Sequence, residues 1–478
     1  MRRGGERRPR AQESRHEHDA AARRCPSPAR RADARRRRER CGGPPVTHEI
    51  WGLTGFAAVL ALIMARVPIG IAMAVIGAGG TWLLGGFDTF KFGLGTAPFN
   101  ALFPYSLSVL PLFIMMGVFA AYSGMSRNLF VGANAFVGHR PGGLAVATIS
   151  ASAVFGAVCG SSLATAATMS KVALPEMKER GYGEGLATGA VAAGGTLGIM
   201  IPPSIPLALY GLLTQTSIGA LYAAAILPGV LGAVLYMGAV WVTTWRRPDV
   251  GPAGARYTWR QRVEALVQVW DVLVLFVLVL GGLFLGWFSP TEAAAVGVAG
   301  AVVLTAIQGR LTREFVKSSL WDTALSMGLI FLVLIGAGIF GFFMDLSGLP
   351  QASVAFVQGL DIGRYWVLVV ILVGYLILGC LLDSLSMLLL TISFVYPVVH
   401  RLGFDAVWFG ILMVTVIEIG LIHPPFGMNL FVVQASQPGL KLGTVVKGVL
   451  PFLAADFVRL TLLVVFPSIT LVFAGVVK

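Results

Sequence analysis

Two short stretches of small and hydroxyl residues, separated by a fixed offset of 222 positions, could bind a cation. Their members are Ser161, Ser162 and Thr165 in the first stretch, and Asp383, Ser384 and Ser386 in the second. At the tip of a hairpin inside a membrane, such residues leave carbonyl and side-chain oxygens free to replace the water around a hard cation such as Na⁺. For either stretch alone, helix packing through small residues is the alternative explanation.

A Pro-Pro break follows each stretch at the same offset. The residues that could bind there are Gly194, Thr196, Gly198 and Pro202 in the first half, and Glu418, Gly420, His423 and Pro424 in the second. Proline removes a backbone donor and clashes with the preceding turn, so a Pro-Pro pair stops a helix. The freed carbonyls could coordinate Na⁺, and the half-helix that follows could present N–H groups to an anion. A kink that binds nothing is the alternative.

Three ionisable residues are expected at membrane depth, where such groups are costly and usually functional. Asp383, at a predicted tip, suits a cation ligand. Glu418 has two open interpretations, a buried structural pair with His423 or a proton relay. Asp345 and Asp456 lie near the ends of apolar segments and are expected at the membrane interface.

The offset of 222 residues runs through most of the chain. Without a gap it pairs Pro68 with Pro290 and Pro175 with Pro397. A hydrophobic chain whose two halves carry broken segments at matching positions is typical of a secondary transporter. Its substrate and ions should bind where the breaks meet, near the bilayer midplane.

Composition places the chain in a membrane. Of its 478 residues, 56% are hydrophobic and 12% are charged, and the mean hydropathy is +0.79. Soluble domains carry roughly 25% charged residues. Repeated apolar stretches of roughly 20 residues predict an all-α, multi-pass protein. Some stretches are too short to cross by themselves, which favours re-entrant hairpins and broken helices.

The predicted organisation has four parts. They are an Arg-rich extension at 1–48, a first membrane repeat at 49–245, a basic connector at 246–266 and a second repeat at 267–475. Hairpins are predicted at 142–175 and 365–399, and broken helices at 185–214 and 404–435. Basic residues in the connector and in the 171–180 loop place both in the cytoplasm. Counting segments from there, the two hairpins enter from opposite sides, so the repeats are inverted.

The same count puts the Arg-rich extension outside, against the positive-inside rule. Residues 1–48 hold 15 arginines and six acidic residues, which is +9 of the net +13. We hypothesise that the natural chain starts near Val46; native peptides from 1–45, found by mass spectrometry, would contradict this. A nucleic-acid-binding arm is the alternative. A disordered or untranslated tail is favoured, so no nucleic-acid partner is expected.

Catalytic signatures are missing. The four cysteines have no metal-ligand spacing, and no Walker, GxSxG or HExxH motif occurs. The chain is therefore predicted not to be an enzyme, to need no cofactor, and to draw energy from an ion gradient. Two other classes remain as alternatives, a channel and an intramembrane hydrolase that would use Ser161 or Ser384 with His423.

Several stretches resemble the large (DctM-like) membrane subunit of tripartite ATP-independent periplasmic (TRAP) transporters. They read GSSLAT at 160–165, PEMKERGY at 175–182, GGTLGIMIPPS at 194–204 and PTEAAAVG at 290–297. The resemblance covers about 50–475. It implies an elevator-type, Na⁺-driven symporter of the bacterial inner membrane that carries organic anions such as C4-dicarboxylates.

The resemblance also implies partners and ion sites. The partners are a small four-helix membrane subunit and a periplasmic substrate-binding protein. One Na⁺ site would include Ser161, Ser162, Gly198 and Pro202, and the other would include Ser384, Gly420 and Pro424. The 1–48 extension departs from the family pattern. No four-helix unit precedes residue 50, so the small subunit is expected as a separate chain. A carrier of the same fold that works without a binding protein is the second interpretation.

Overall fold

The computed structural model describes residues 45–360 and 362–475, and within them every regular element is a helix. The expectations for the extension at 1–48 fall outside these residues, except at 45–48. The helices of the first half are α1 Pro45–Met64, α2 Ile69–Leu102, α3 Val109–Tyr122, α4 Met125–Val137, α5 Gly143–Cys159, α6 Ser162–Glu179, α7 Glu184–Met200, α8 Ile205–Thr214 and α9 Ile218–Arg246.

The second half continues the series. Its helices are α10 Trp259–Val267, α11 Trp270–Phe284, α12 Pro290–Ile307, α13 Arg313–Ser347, α14 Leu349–Gly359, α15 Arg364–Gly379, α16 Ser384–Arg401, α17 Ala406–Ile422, α18 Met428–Ala435, α19 Leu442–Val465 and α20 Ser468–Leu471. In the described part, eight helices are long and apolar enough to cross a membrane, or nine when the bent pair α10–α11 counts as one span. The chain is therefore a multi-pass membrane protein.

The repeat offset also fixes helix boundaries. Helices α6 and α16 begin and end exactly 222 residues apart, and so do α7 and α17. The Pro202–Pro203 and Pro424–Pro425 peptide bonds lie at matching positions and both are cis. The fold is thus two structural repeats of inverted topology, each with a helical hairpin (α5–α6 or α15–α16) and a broken helix (α7–α8 or α17–α18). We call these eight helices the hairpin core.

The hairpins are too short to cross a bilayer. Helix α5 has 17 residues and α15 has 16, which at about 1.5 Å per residue gives ~25 Å against a hydrocarbon core of ~30 Å. Gly160, in the left-handed region at φ 64°, ends α5 and lets the chain reverse. The first hairpin therefore turns inside the membrane, as the sequence predicts for re-entrant segments.

A second body forms around α2 and α13, with α1 and α14 beside them. Glycines allow the two long helices to touch backbone to backbone. A Cβ on Gly336 would lie 2.1 Å from the Gly70 carbonyl oxygen, and one on Gly77 would lie 2.7 Å from the backbone of Phe340. Small residues at such crossings are how membrane helices gain close packing without a hydrophobic driving force.

The basic connector lies against the base of the first hairpin. Three backbone hydrogen bonds fix it there: Gly142 N–H to Gly251 O at 2.9 Å, Gly183 N–H to Val250 O at 2.9 Å, and Gly254 N–H to Gly138 O at 2.9 Å. The connector, the start of α5 and the loop before α7 therefore lie on one side of the molecule. Helix α10 then bends by 50° into α11.

Candidate functional site

The tips of both hairpins open onto one cavity of about 750 Å³. The first tip contributes Ser161 and Ser162, and the second contributes Asp383 and Ser384. Helix α13, from the second body, forms an opposite wall with Asp322, Leu325 and Ile330. The residues that the repeat pattern singled out thus meet in space although they are 222 positions apart.

At the first tip, the hairpin touches the break of α7. The Ser161 hydroxyl caps α6 by accepting from the Ala164 N–H at 3.4 Å, and the Thr165 hydroxyl donates to the Ser161 carbonyl at 2.8 Å. A Cβ on Gly198 would lie 2.9 Å from the Thr165 oxygen and 3.4 Å from the Ser161 carbonyl oxygen. The predicted residues Ser161, Thr165 and Gly198 are therefore in direct contact.

Asn429 completes this tip, and sequence reasoning missed it. It lies on α18, in the other repeat, and is fully buried. Its amide donates to the Ser162 hydroxyl at 2.8 Å and to the Ala192 carbonyl of α7 at 3.0 Å. The half-helix after one break thus holds the hairpin of the opposite repeat. A buried amide directly after the second break was the available signal.

Asn429→Ala is expected to weaken this tip. It leaves the buried Ser162 hydroxyl without its amide partner, which costs about 1–3 kcal/mol. The thermal midpoint of the purified protein should fall, and the Na⁺ concentration for half-maximal uptake should rise. Ser150→Ala is the control, because Ser150 bonds only to Val146 O of its own helix among the described residues. Equal behaviour of the two variants would show that the cross-repeat bond does not support the tip.

The second tip is built differently. The Asp383 carboxylate caps α16, accepting from the N–H groups of Leu385 at 3.2 Å and Ser386 at 3.3 Å. Ser384 lines the cavity and Ser386 is buried. The hairpin meets the break of α17 through glycines, since a Cβ on Gly420 would lie 2.7 Å from the Gly379 backbone. The contact repeats the Gly156–Gly198 contact of the first half.

The remaining predicted residues lie around the two breaks. Gly194 is buried against α5, where a Cβ would lie 2.8 Å from the Ser152 oxygen. Pro202 is buried, whereas Pro424 is half-buried. His423 does not reach Glu418; its Nδ1 lies 3.3 Å from Cys380 Sγ.

Glu418 pairs with Arg459 of α19, so the prediction of a Glu418–His423 pair was wrong. Both side chains are fully buried. Arg459 also lies 2.8 Å from Asp456, which is fully buried too. The expectation of an interfacial Asp456 was therefore wrong as well. The reason is that two carboxylates and one guanidinium satisfy one another inside the protein, which sequence position does not reveal.

This cluster continues to the first repeat. The Tyr236 hydroxyl donates to Asp456 at 2.6 Å and lies 3.1 Å from the Thr196 hydroxyl. Thr196 and Glu418 occupy matching positions, 222 residues apart. A continuous polar chain therefore joins the two broken helices, ending two residues before Gly198 on one side and two before Gly420 on the other. We call these five residues, Thr196, Tyr236, Glu418, Asp456 and Arg459, the buried polar chain.

The mouth of the cavity carries charge. Arg127 and Lys171 line it, both are exposed, and neither has an ion pair within the described residues. Asp322 accepts a hydrogen bond from the Tyr122 hydroxyl at 2.6 Å. The described residues hold no cluster of three His, Cys, Asp or Glu side chains suited to a transition metal. The cavity chemistry is instead that of oxygen ligands at its floor and cations at its mouth.

Residues 56–469 match the family described as the DctM component of the tripartite ATP-independent periplasmic transporter. This chain belongs to that family. Membership makes it a TRAP large permease, a transporter subunit rather than an enzyme, which decides against the intramembrane hydrolase.

Curated relatives agree with this assignment. The chain is 34% identical, over 77% of its own length and 86% of the relative's, to the C4-dicarboxylate TRAP large permease DctM of Pseudomonas aeruginosa. It is 31% identical to the sialic acid TRAP large permease SiaM of Vibrio cholerae, covering 86% of this chain and 96% of that one. It is 32% identical to DctM of Rhodobacter capsulatus, covering 87% and 97%.

The fold also resembles solved transporters of low sequence identity. The Alcanivorax borkumensis YdaH transporter superposes with a TM-score of 0.60 at 17% identity, covering 86% of this chain and 98% of that one. The Neisseria gonorrhoeae MtrF structure gives 0.56 at 12% identity, covering 85% and 94%. At these identities the likeness concerns the fold alone. It supports the architecture of the TRAP permease described above.

Proposed function

We propose that this TRAP permease imports an organic anion by symport with Na⁺, as one subunit of a tripartite complex in the bacterial inner membrane. The observation that carries the proposal is that both hairpin tips open onto one cavity and that each hairpin touches its own repeat's helix break. A duplicated, inverted pair of such contacts is the arrangement from which alternating-access carriers build their ion sites.

Two Na⁺ sites are proposed from these contacts. The first would use Ser161, Ser162, Gly198 and Pro202, and the second Ser384, Gly420 and Pro424. Support for the first comes from the contact of Ser161 and Thr165 with Gly198. Support for the second comes from the Gly379–Gly420 contact beside the Ser384 tip. Backbone carbonyls and hydroxyls at such contacts are hard oxygen ligands, which suit an alkali cation.

An anionic substrate suits the cavity mouth. The relatives are named for C4-dicarboxylates and sialic acid, and another, from Ruegeria pomeroyi, for ectoine and 5-hydroxyectoine. Arg127 and Lys171 offer two cations without ion-pair partners in the described part of the chain. We infer that they attract a carboxylate. Because Lys171 precedes the loop assigned to the cytoplasm, the structure would represent an inward-facing state.

Replacing Lys171 with Gln is expected to raise the substrate KM by about tenfold, because a charge-assisted hydrogen bond to a carboxylate is worth roughly 1.5–3 kcal/mol. The Na⁺ dependence should stay unchanged, since Lys171 is remote from the hairpin tips. Lys178→Gln is the matched control, being an exposed lysine of the same helix that does not line the cavity. An unchanged substrate KM in Lys171→Gln would remove this residue from the uptake path.

The tripartite arrangement is tested by omission. The chain is reconstituted in liposomes with the small membrane protein and the secreted binding protein encoded beside its gene, and uptake of the binding protein's ligand is measured. Uptake should require all three components. Full uptake by this chain alone would favour the second interpretation, a carrier of the same fold that needs no binding protein. Passive equilibration without accumulation would favour a channel.

A further inference from the structure

A groove outside the hairpin-tip cavity lies between α9 and α19 and encloses about 840 Å³. At one end it is lined by three basic residues, Arg246, Arg247 and Lys447. Along its length the lining is apolar, with Leu235, Val242, Leu450 and Val458. The groove thus combines a cationic end with a hydrophobic wall.

The three cations are unpaired within the described residues. None of them takes part in any of the four ion pairs found there, and all three are exposed. Two acidic residues are near in sequence, Asp249 after α9 and Glu184 at the start of α7. Both are exposed and neither lines the groove. The mouth therefore keeps a net positive charge that invites an anion.

The depth of the groove matches one leaflet of a bilayer. From Lys447 to Val458 the helix advances 11 residues, and from Arg246 back to Leu235 it also covers 11. At about 1.5 Å per residue this is ~16 Å, close to half of a hydrocarbon core of ~30 Å. An acyl chain lying in the groove would therefore end near the bilayer midplane.

The cationic end lies where headgroups lie. Trp241 and Trp245 occupy the adjacent face of α9, with 65% and 73% of their surface exposed. Their rings stack with centroids 6.2 Å apart. Exposed tryptophans are enriched at the membrane–water interface, and basic pockets between membrane helices bind anionic lipid headgroups.

We propose that this groove binds an anionic phospholipid. Arg246, Arg247 and Lys447 receive the phosphodiester and its headgroup, and an acyl chain lies along the apolar wall between α9 and α19. Small residues provide the room for that chain, namely Ala239 on α9 and Gly448 and Ala454 on α19. The site is separate from the Na⁺ and substrate sites, so it stands whether or not those proposals hold.

The test is native mass spectrometry of the purified protein with added phosphatidylglycerol or phosphatidylcholine. Wild type should retain phosphatidylglycerol in preference. The triple variant Arg246→Gln, Arg247→Gln, Lys447→Gln should bind it on the order of 100-fold more weakly. Ala454→Trp, which fills the apolar wall without changing charge, should also lose binding and guards against misfolding of the triple variant.

A matched control removes the same charges elsewhere. Arg256→Gln, Arg313→Gln, Lys317→Gln changes two arginines and one lysine that are exposed and do not line the groove. It should bind phosphatidylglycerol like wild type. Equal binding of the two lipids, displacement by excess inorganic phosphate, or unchanged binding in both groove variants would overturn the proposal. So would loss of phosphatidylglycerol on adding the small subunit, which would make the groove a protein interface.

Discussion

Arg459→Met is expected to leave little folded, transporting protein in the membrane. Arg459 lies between the fully buried carboxylates of Glu418 and Asp456, so the variant would leave two carboxylates in a low-dielectric interior without a counterion. Breaking such a buried pair costs about 3–5 kcal/mol, a large part of a typical stability of roughly 5–15 kcal/mol. Size-exclusion chromatography of the detergent-solubilised protein and uptake assays measure the loss.

Two further variants sharpen this prediction. Arg401→Met removes an exposed arginine at the end of α16 that has no ion pair in the described residues, and it should behave like wild type. The triple variant Glu418→Gln, Asp456→Asn, Arg459→Met removes all three charges and should recover part of the folded yield. Wild-type yield and uptake in Arg459→Met would contradict the structural role assigned to the buried polar chain.

Gly420→Ala is expected to damage the second hairpin contact and, with it, Na⁺ binding. The new Cβ would lie 2.7 Å from the Gly379 backbone, and because both partners are backbone, the helices must separate. Overpacking of this kind costs about 1–3 kcal/mol. A site that loses about 1.4 kcal/mol binds tenfold more weakly, so the Na⁺ concentration for half-maximal uptake should rise at least that much.

Gly374→Ala provides the comparison. Gly374 lies on α15, the same helix as Gly379, and a Cβ there would meet nothing within 4 Å. This variant should keep wild-type Na⁺ dependence and be neutral or slightly stabilising, because alanine favours a helix over glycine. If Gly420→Ala and Gly374→Ala give the same Na⁺ dependence, the glycine contact has no part in ion binding.

The sequence predicted features that depend on local chemistry and on the repeat. The Pro202–Pro203 and Pro424–Pro425 breaks and the Gly160 turn follow from residues that stop or reverse a helix wherever they occur. The offset of 222 then placed both hairpins and both broken helices, since matching sequence gives matching structure. All-helical membrane architecture followed from composition.

Contacts between distant segments were beyond the sequence. Glu418 was expected to meet His423, five residues away, but its partner Arg459 comes from another helix, as does Tyr236 for Asp456. One signal was available: Asp456 and Arg459 lie three apart in an apolar segment, and charges inside a membrane protein usually pair with one another. Asn429 gave a weaker signal, a single amide whose partners lie in the opposite repeat.

The most direct test of the central claim is uptake of the binding protein's ligand into liposomes that hold the complete complex, with and without an inward Na⁺ gradient. The proposed symport predicts accumulation above equilibrium only while the gradient exists, and none when K⁺ replaces Na⁺ or when an ionophore dissipates the gradient. Accumulation that persists after the Na⁺ gradient is abolished would contradict Na⁺ coupling at the two hairpin tips.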